Sequence, residues 1–129
     1  MAVTQIVILQ NDQFDMTTDG GDYFSLEWAY LNGPSGPNMP AIPDTVHAVI
    51  WNTLQGPNEI QSYDPSTGMM TGNTSLSSAS DAVGSTTVQA LLDWATTRYD
   101  QIQAAEIAYE NAVEAGTATA DQNWQDYQS

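Results

Sequence analysis

The chain has 129 residues, enough for one domain with a modest core, and its 41% hydrophobic content fits a folded globular class. Sixteen acids stand against one base, Arg98, with no Lys, and the resulting net charge of −15 excludes phosphate-based binding to nucleic acid or anionic lipid. The absence of Cys excludes a disulfide framework and a thiolate metal site. Charged residues make up only 13% of the chain, below the ordinary ~25%, and they are scattered, so the charge reads as solubility and not as mimicry of a nucleic acid. The N-terminal stretch lacks a basic region, a long apolar run and a small-residue cleavage site, and no apolar run approaches the ~18 residues of a bilayer span. A soluble chain without a secretory signal is expected.

In chain order, Val3 to Leu9 is β-branched and bounded by Asn11-Asp12, which predicts a strand buried on both faces. Asp19-Gly20-Gly21-Asp22 predicts a tight turn, with Phe14 and Met16 before it pairing as a hairpin with a strand alternating through Phe24, Leu26, Trp28 and Tyr30. The segment 33–43 carries four prolines, which fix φ and remove donors, so it reads as a stiff extended connector. Thr45 to Asn52 predicts a strand with His47, Val49 and Trp51 on one face and Val46, Ala48 and Ile50 on the other. Glu59 to Tyr63 alternates, Asp64-Pro65-Ser66-Thr67-Gly68 is a turn, and Met69-Met70 begins the return, completing a three-strand meander. Thr71 to Gly84, rich in Ser, Thr, Gly and Asn, reads as a loop into the next element.

That element is the strongest signal in the chain: Ser85 to Gly116 predicts one helix, capped by Ser85 or Thr86 and stopped by Gly116. Val88, Leu92, Ala95, Tyr99, Ile102, Tyr109 and Val113 form one apolar stripe along it. A helix of this length would span on the order of 45 Å, more than a domain of this size needs for its own core. The stripe therefore reads as a partner-binding surface, with Tyr99 and Tyr109 at heptad positions and Glu106 interrupting; docking on the chain's own β head is the competing use. Thr119 and Gln122 suggest a capping box for a short terminal helix carrying Trp124 and Tyr127. The expected class is α+β: an antiparallel sheet of about four to six strands, one long helix and a short terminal helix. The expected division is a β-rich head, 1–84, and a helical segment, 85–129, whose deletion from Gln89 onward should leave a soluble head.

Chemistry-bearing patterns are sparse. His47 is the only residue poised to move protons near neutrality, but it sits in a strand, and no G-x-S-x-G elbow accompanies Ser66, Ser77 or Ser78. Glu27, Glu59 and Asp93 are the carboxylates least tied to loops, yet alternation places Glu27 and Glu59 on solvent faces. No P-loop, dinucleotide fingerprint or H-E-x-x-H is present. The run Asn11, Asp12, Asp15, Asp19 and Asp22 gathers oxygen ligands that a calcium ion could use, although the spacing is not an EF-hand, and turn residues bonding their own backbone explain it as well. No enzymatic activity and no cofactor is expected.

The segment Met39-Pro40-Ala41-Ile42-Pro43-Asp44-Thr45-Val46-His47-Ala48-Val49-Ile50-Trp51-Asn52, followed by Asn58-Glu59-Ile60-Gln61-Ser62-Tyr63, resembles one found in small tail proteins of bacteriophages. Those share a Pro-rich lead, a strand ending in Trp and Asn or Asp, a turn, and a strand beginning Glu-Ile. Trp51, Glu59 and Tyr63 carry the match, and Gln61 departs from it where the pattern prefers an acid. The resemblance implies a virion structural or tail-fibre assembly protein, located in the virion or in host cytoplasm during assembly. Its partners would be other tail or fibre proteins or copies of itself. A carbohydrate- or host-binding module, with Tyr23, Trp28, Trp51 or Tyr63 stacking on sugar rings, is the alternative; exposure of these rings separates the two.

Overall fold

A computed structural model describes residues 2–52 and 56–128. The fold is α+β: a six-stranded antiparallel sheet, a 27-residue helix laid across one face, and a short terminal 3-10 turn. The strands are β1 (Val3–Leu9), β2 (Gln13–Thr18), β3 (Tyr23–Glu27), β4 (Val46–Trp51), β5 (Glu59–Tyr63) and β6 (Met70–Ser75). They are ordered β3-β2-β1-β4-β5-β6, so two meanders, one per half, join where β1 pairs with β4. The β-branched run of β1 thus occupies the centre, where both of its edges are hydrogen-bonded. Segment 33–43 makes the one long return, from the outer strand β3 back to the middle of the sheet.

Alternation sets the two faces. Ile6, Ile8, Phe14, Met16, Leu26, Val49, Trp51 and Ile60 point to the covered face and are buried. Three irregularities shift the register among the described residues: one between Val3 and Gln5, which keeps Val3 buried beside Ile6, one between Val46 and Ala48, and one between Ser62 and Tyr63. The shift between Val46 and Ala48 corrects the expected faces of β4, because Val46 joins Val49 and Trp51 in the core while His47 is displaced and half-buried. Past Glu27 the chain leaves the sheet for a 3-10 turn over Trp28–Tyr30, held by the Trp28 amide donating to Asp12 O, so β3 is shorter than its alternating aromatics imply. The Ser/Thr-rich stretch 71–84 expected as loop holds most of β6 and all of β7 (Ala82–Val83), and β7 pairs with β8 (Thr86–Thr87), which occupies the expected first residues of the helix.

The helix, α1 (Val88–Glu114), starts three residues later than Ser85 because the capping hydroxyl is that of Thr87, which accepts from the Ala90 amide at 3.1 Å. It ends at Gly116, whose φ of +74° reverses the chain while its amide donates to Val113 O. Leu91, Leu92, Trp94, Ala95, Tyr99 and Ile102 share one continuous core with the sheet residues above. Both expected segments, 1–84 and 85–129, therefore contribute to a single core.

Three helix side chains fasten the 3-10 turn and the Pro-rich return that follows it. Trp94 Nε1 donates to Pro37 O at 2.8 Å, Gln101 Nε2 donates to Gly36 O, and the Arg98 guanidinium donates to Leu31 O at 3.0 Å and Tyr30 O at 2.8 Å. Arg98, 1% exposed, is the only Lys or Arg of the chain; its burial lowers the guanidinium pKa, and its bonds to carbonyls offset the desolvation. A Cβ on Gly33 would lie 2.5 Å from Arg98 Nη1, so any larger residue there would have to displace the guanidinium. Arg98→Met should lower unfolding free energy by about 2–3 kcal/mol, since charge-assisted bonds are worth ~1.5–3 kcal/mol each and the two carbonyls would lose their donors. A denaturant midpoint unchanged from wild type would show that the clamp contributes nothing.

Candidate functional site

The apolar stripe of α1 divides in two. Val88, Leu92, Ala95, Tyr99 and Ile102 are buried in the chain's own core, which leaves none of them to a partner. Beyond Ile102 the helix outruns the sheet, and there the chain folds back on it. The terminal 3-10 turn, Trp124–Tyr127, is capped by Asn123, with Asp126 completing the capping box. Its Trp124 ring lies 6.1 Å from Phe24 and 6.5 Å from Tyr30, and Tyr127 lies 5.8 Å from Tyr109. The box expected at Thr119 and Gln122 supplies only its second half, Thr119 N donating to Gln122 Oε1. Of the stripe only Val113, 53% exposed, still faces solvent, with Ile107 on the same end of the helix at 56%. The excess helix length is thus taken up by the chain's own tail.

The surface left open is the other face of the sheet, which no helix covers among the described residues. Val7 and Leu9 of β1 and Ile50 of β4 are half-buried at its centre. Cross-strand register sets the rows: Ser25, Asp15, Val7, Ile50, Glu59 and Ser75 face one another strand by strand, and beside them Gln13, Leu9, Ala48 and Gln61. Side chains tie the rim together, with Gln13 Nε2 and Ser25 Oγ donating to Asp15 and Gln61 Nε2 donating to Glu59. The result is an aliphatic strip framed by amides and two carboxylates. At the sheet's edge, all six residues of β6 are exposed, and among the described residues the strand pairs only with β5. It carries neither charge nor Pro, the usual edge protections, and with Arg98 buried no Lys or Arg side chain is on the surface to supply one. The near-continuous apolar run of β1 was the signal of this second face; nothing in the Ser/Thr-rich sequence of β6 marked the edge.

Geometry separates the candidate ligand groups. Asp12 and Asp19 sit at opposite ends of β2, a separation of roughly 20 Å at strand rise, so Asp12, Asp15, Asp19 and Asp22 cannot hold one calcium ion. Asp15 is instead bonded within the open face, and Asp22 meets the Tyr99 hydroxyl, whose pKa is raised by burial first and by the Asp22, Glu106 and Asp100 carboxylates. Among the described residues no group of three His, Asp or Glu could hold a metal. Glu27 on β3 and Glu59 on β5 are four strands apart, about 19 Å, beyond the ~5–9.5 Å of a glycosidic pair, and Asp93 is an exposed helix residue bonded to Gln89. His47 packs edge-on against Tyr63 at 5.3 Å.

The candidate stacking rings do not form one row. Trp51 is in the core at 9% exposure, Tyr23 is 65% exposed on the open face, and Trp28 and Tyr63 are half-buried together at one end of the sheet. Among the described residues no helix is long and apolar enough to cross a membrane. No protein-family model, curated protein or solved structure matches the chain.

Proposed function

We propose that this chain is a non-enzymatic bacteriophage structural or tail-fibre assembly protein, acting in the virion or on tail components through protein–protein contacts. The open sheet face carries the reading: an aliphatic strip of Val7, Leu9 and Ile50 framed by polar side chains has the composition of a contact patch and not of a catalytic cleft. The resemblance over Met39–Tyr63 suggests the tail setting, and that segment includes β4 and β5, two of the six strands of this face. Charge selects the partner. Every copy presents acids without exposed Lys or Arg, so self-pairing of this face would oppose like charges, whereas a tail or fibre protein with a neutral or basic rim is complementary.

The test is co-expression with the products of the neighbouring genes and with bacteriophage tail and fibre proteins, followed by size-exclusion chromatography. Ile50→Lys should weaken the complex at least tenfold at an unchanged thermal midpoint, because the new ammonium stands opposite Glu59 and is tolerated within the fold. Failure of wild type to join any of these proteins, or full affinity in the variant, would exclude the assignment.

A further inference from the structure

We propose that the cleft at the end of the sheet bearing Trp28 and Tyr63 binds a neutral saccharide. Here the β1–β2 turn, the 3-10 turn after β3, the Pro-rich return and the β5–β6 turn converge around a cavity of about 400 Å³, within the ~300–1,000 Å³ of small-molecule sites. Trp28 and Tyr63 line it as the two rings, over a floor that includes buried Leu31 and Ile42. Gln10, Asn11, Asn32 and Asp44 supply the polar lining.

The donor set decides the ligand class. Three amides and one carboxylate offer both donors and acceptors to hydroxyl groups, and indole and phenol rings offer apolar faces to the C–H face of a pyranose. Gln10 spends its Nε2 on Pro43 O and Asn32 its Oδ1 on the Met39 amide, leaving the Gln10 oxygen and the Asn32 amino group for a ligand. The side chains of Asn11 and Asp44 have no hydrogen-bond partner among the described residues. Anionic ligands are disfavoured, since no Lys or Arg lines the cleft and the chain carries −15. A metal is disfavoured by the single carboxylate in the lining.

The walls are fixed in advance. The prolines stiffen the return, and Trp94, Arg98 and Gln101 hold it and the 3-10 turn to α1, which reduces the ordering cost of binding. This explains why the chain's only cation is committed to two loop carbonyls beside the cleft. Asn11 holds a left-handed φ of +63° at the rim, a conformation Asn tolerates and glycine adopts freely.

The probes are lactose, maltotriose, cellotriose, mannobiose and diacetylchitobiose, titrated to about 10 mM, where millimolar dissociation constants still saturate. Saturation-transfer NMR and tryptophan fluorescence report binding. At least one neutral sugar should bind saturably, while sialyllactose and glucose 6-phosphate should not. Asn11→Gly should weaken binding tenfold or more at an unchanged thermal midpoint, Tyr63→Ala should weaken it as much with only a small loss of midpoint from its His47 contact, and Ile50→Lys should leave binding intact. The site is overturned if none of the five sugars binds, if the anionic sugars bind equally well, or if both cleft variants retain wild-type affinity.

Discussion

Deleting Gln89–Ser129 should leave a chain that has no cooperative thermal transition and that aggregates, and not the soluble head expected from the segment boundary alone. The helix covers Ile6, Ile8, Phe14, Met16, Leu26 and Val49, each no more than 1% exposed. Burying such side chains contributes ~1.5–3 kcal/mol apiece, so six of them represent on the order of 10 kcal/mol. That is comparable with the whole ~5–15 kcal/mol by which small domains are stable. The truncation also removes Thr96, whose Oγ1 accepts from the Val3 amide at 2.9 Å, and the clamp on residues 30–37. Circular dichroism melting and sedimentation velocity would decide it; a monomer with a sharp transition would show that the sheet carries its own core.

Trp51→Ala should lower stability by about 3–5 kcal/mol, the cost of emptying a large aromatic site in a packed core, and the midpoint by roughly 10–20 °C for a domain of this size. Trp51 closes β4, opposite Ile6 in register, and belongs to the continuous core. A ring that served only to stack on a sugar would leave the melt unmoved, so the midpoint of this variant separates a core Trp from a ligand-binding one. The contrast is internal, because Tyr63→Ala, at a half-buried ring of the cleft, should lose sugar binding with a far smaller loss of midpoint.

The strands and the helix were legible because burial imposes a period. Alternation in β2, β3 and β5 marked their inward residues, and the stop at Gly116 followed from the left-handed residue a helix end requires. The misreadings were local conflicts that a period cannot record. The bulge in β4 moved His47 off the face of Val49 and Trp51. The strand β6 has no inward residue buried at all, and so left no alternation to read.

Composition and pattern by themselves determined the class, the approximate order of elements, the acidic surface and the existence of a long amphipathic helix. They could not determine what the stripe packs against, because an apolar face is equally satisfied by a partner, by the sheet or by a returning tail, and hydrophobic burial is not directional. Tertiary structure decided that, dividing the stripe between the sheet and the Trp124–Tyr127 turn. It also decided that Arg98 is a buried clamp, that four aspartates near in sequence are spread along a strand, and that Trp28 and Tyr63, 35 positions apart in sequence, share one cleft. Each depends on contacts between segments distant in the chain, set by the pairing of β1 with β4 and the crossing of the helix.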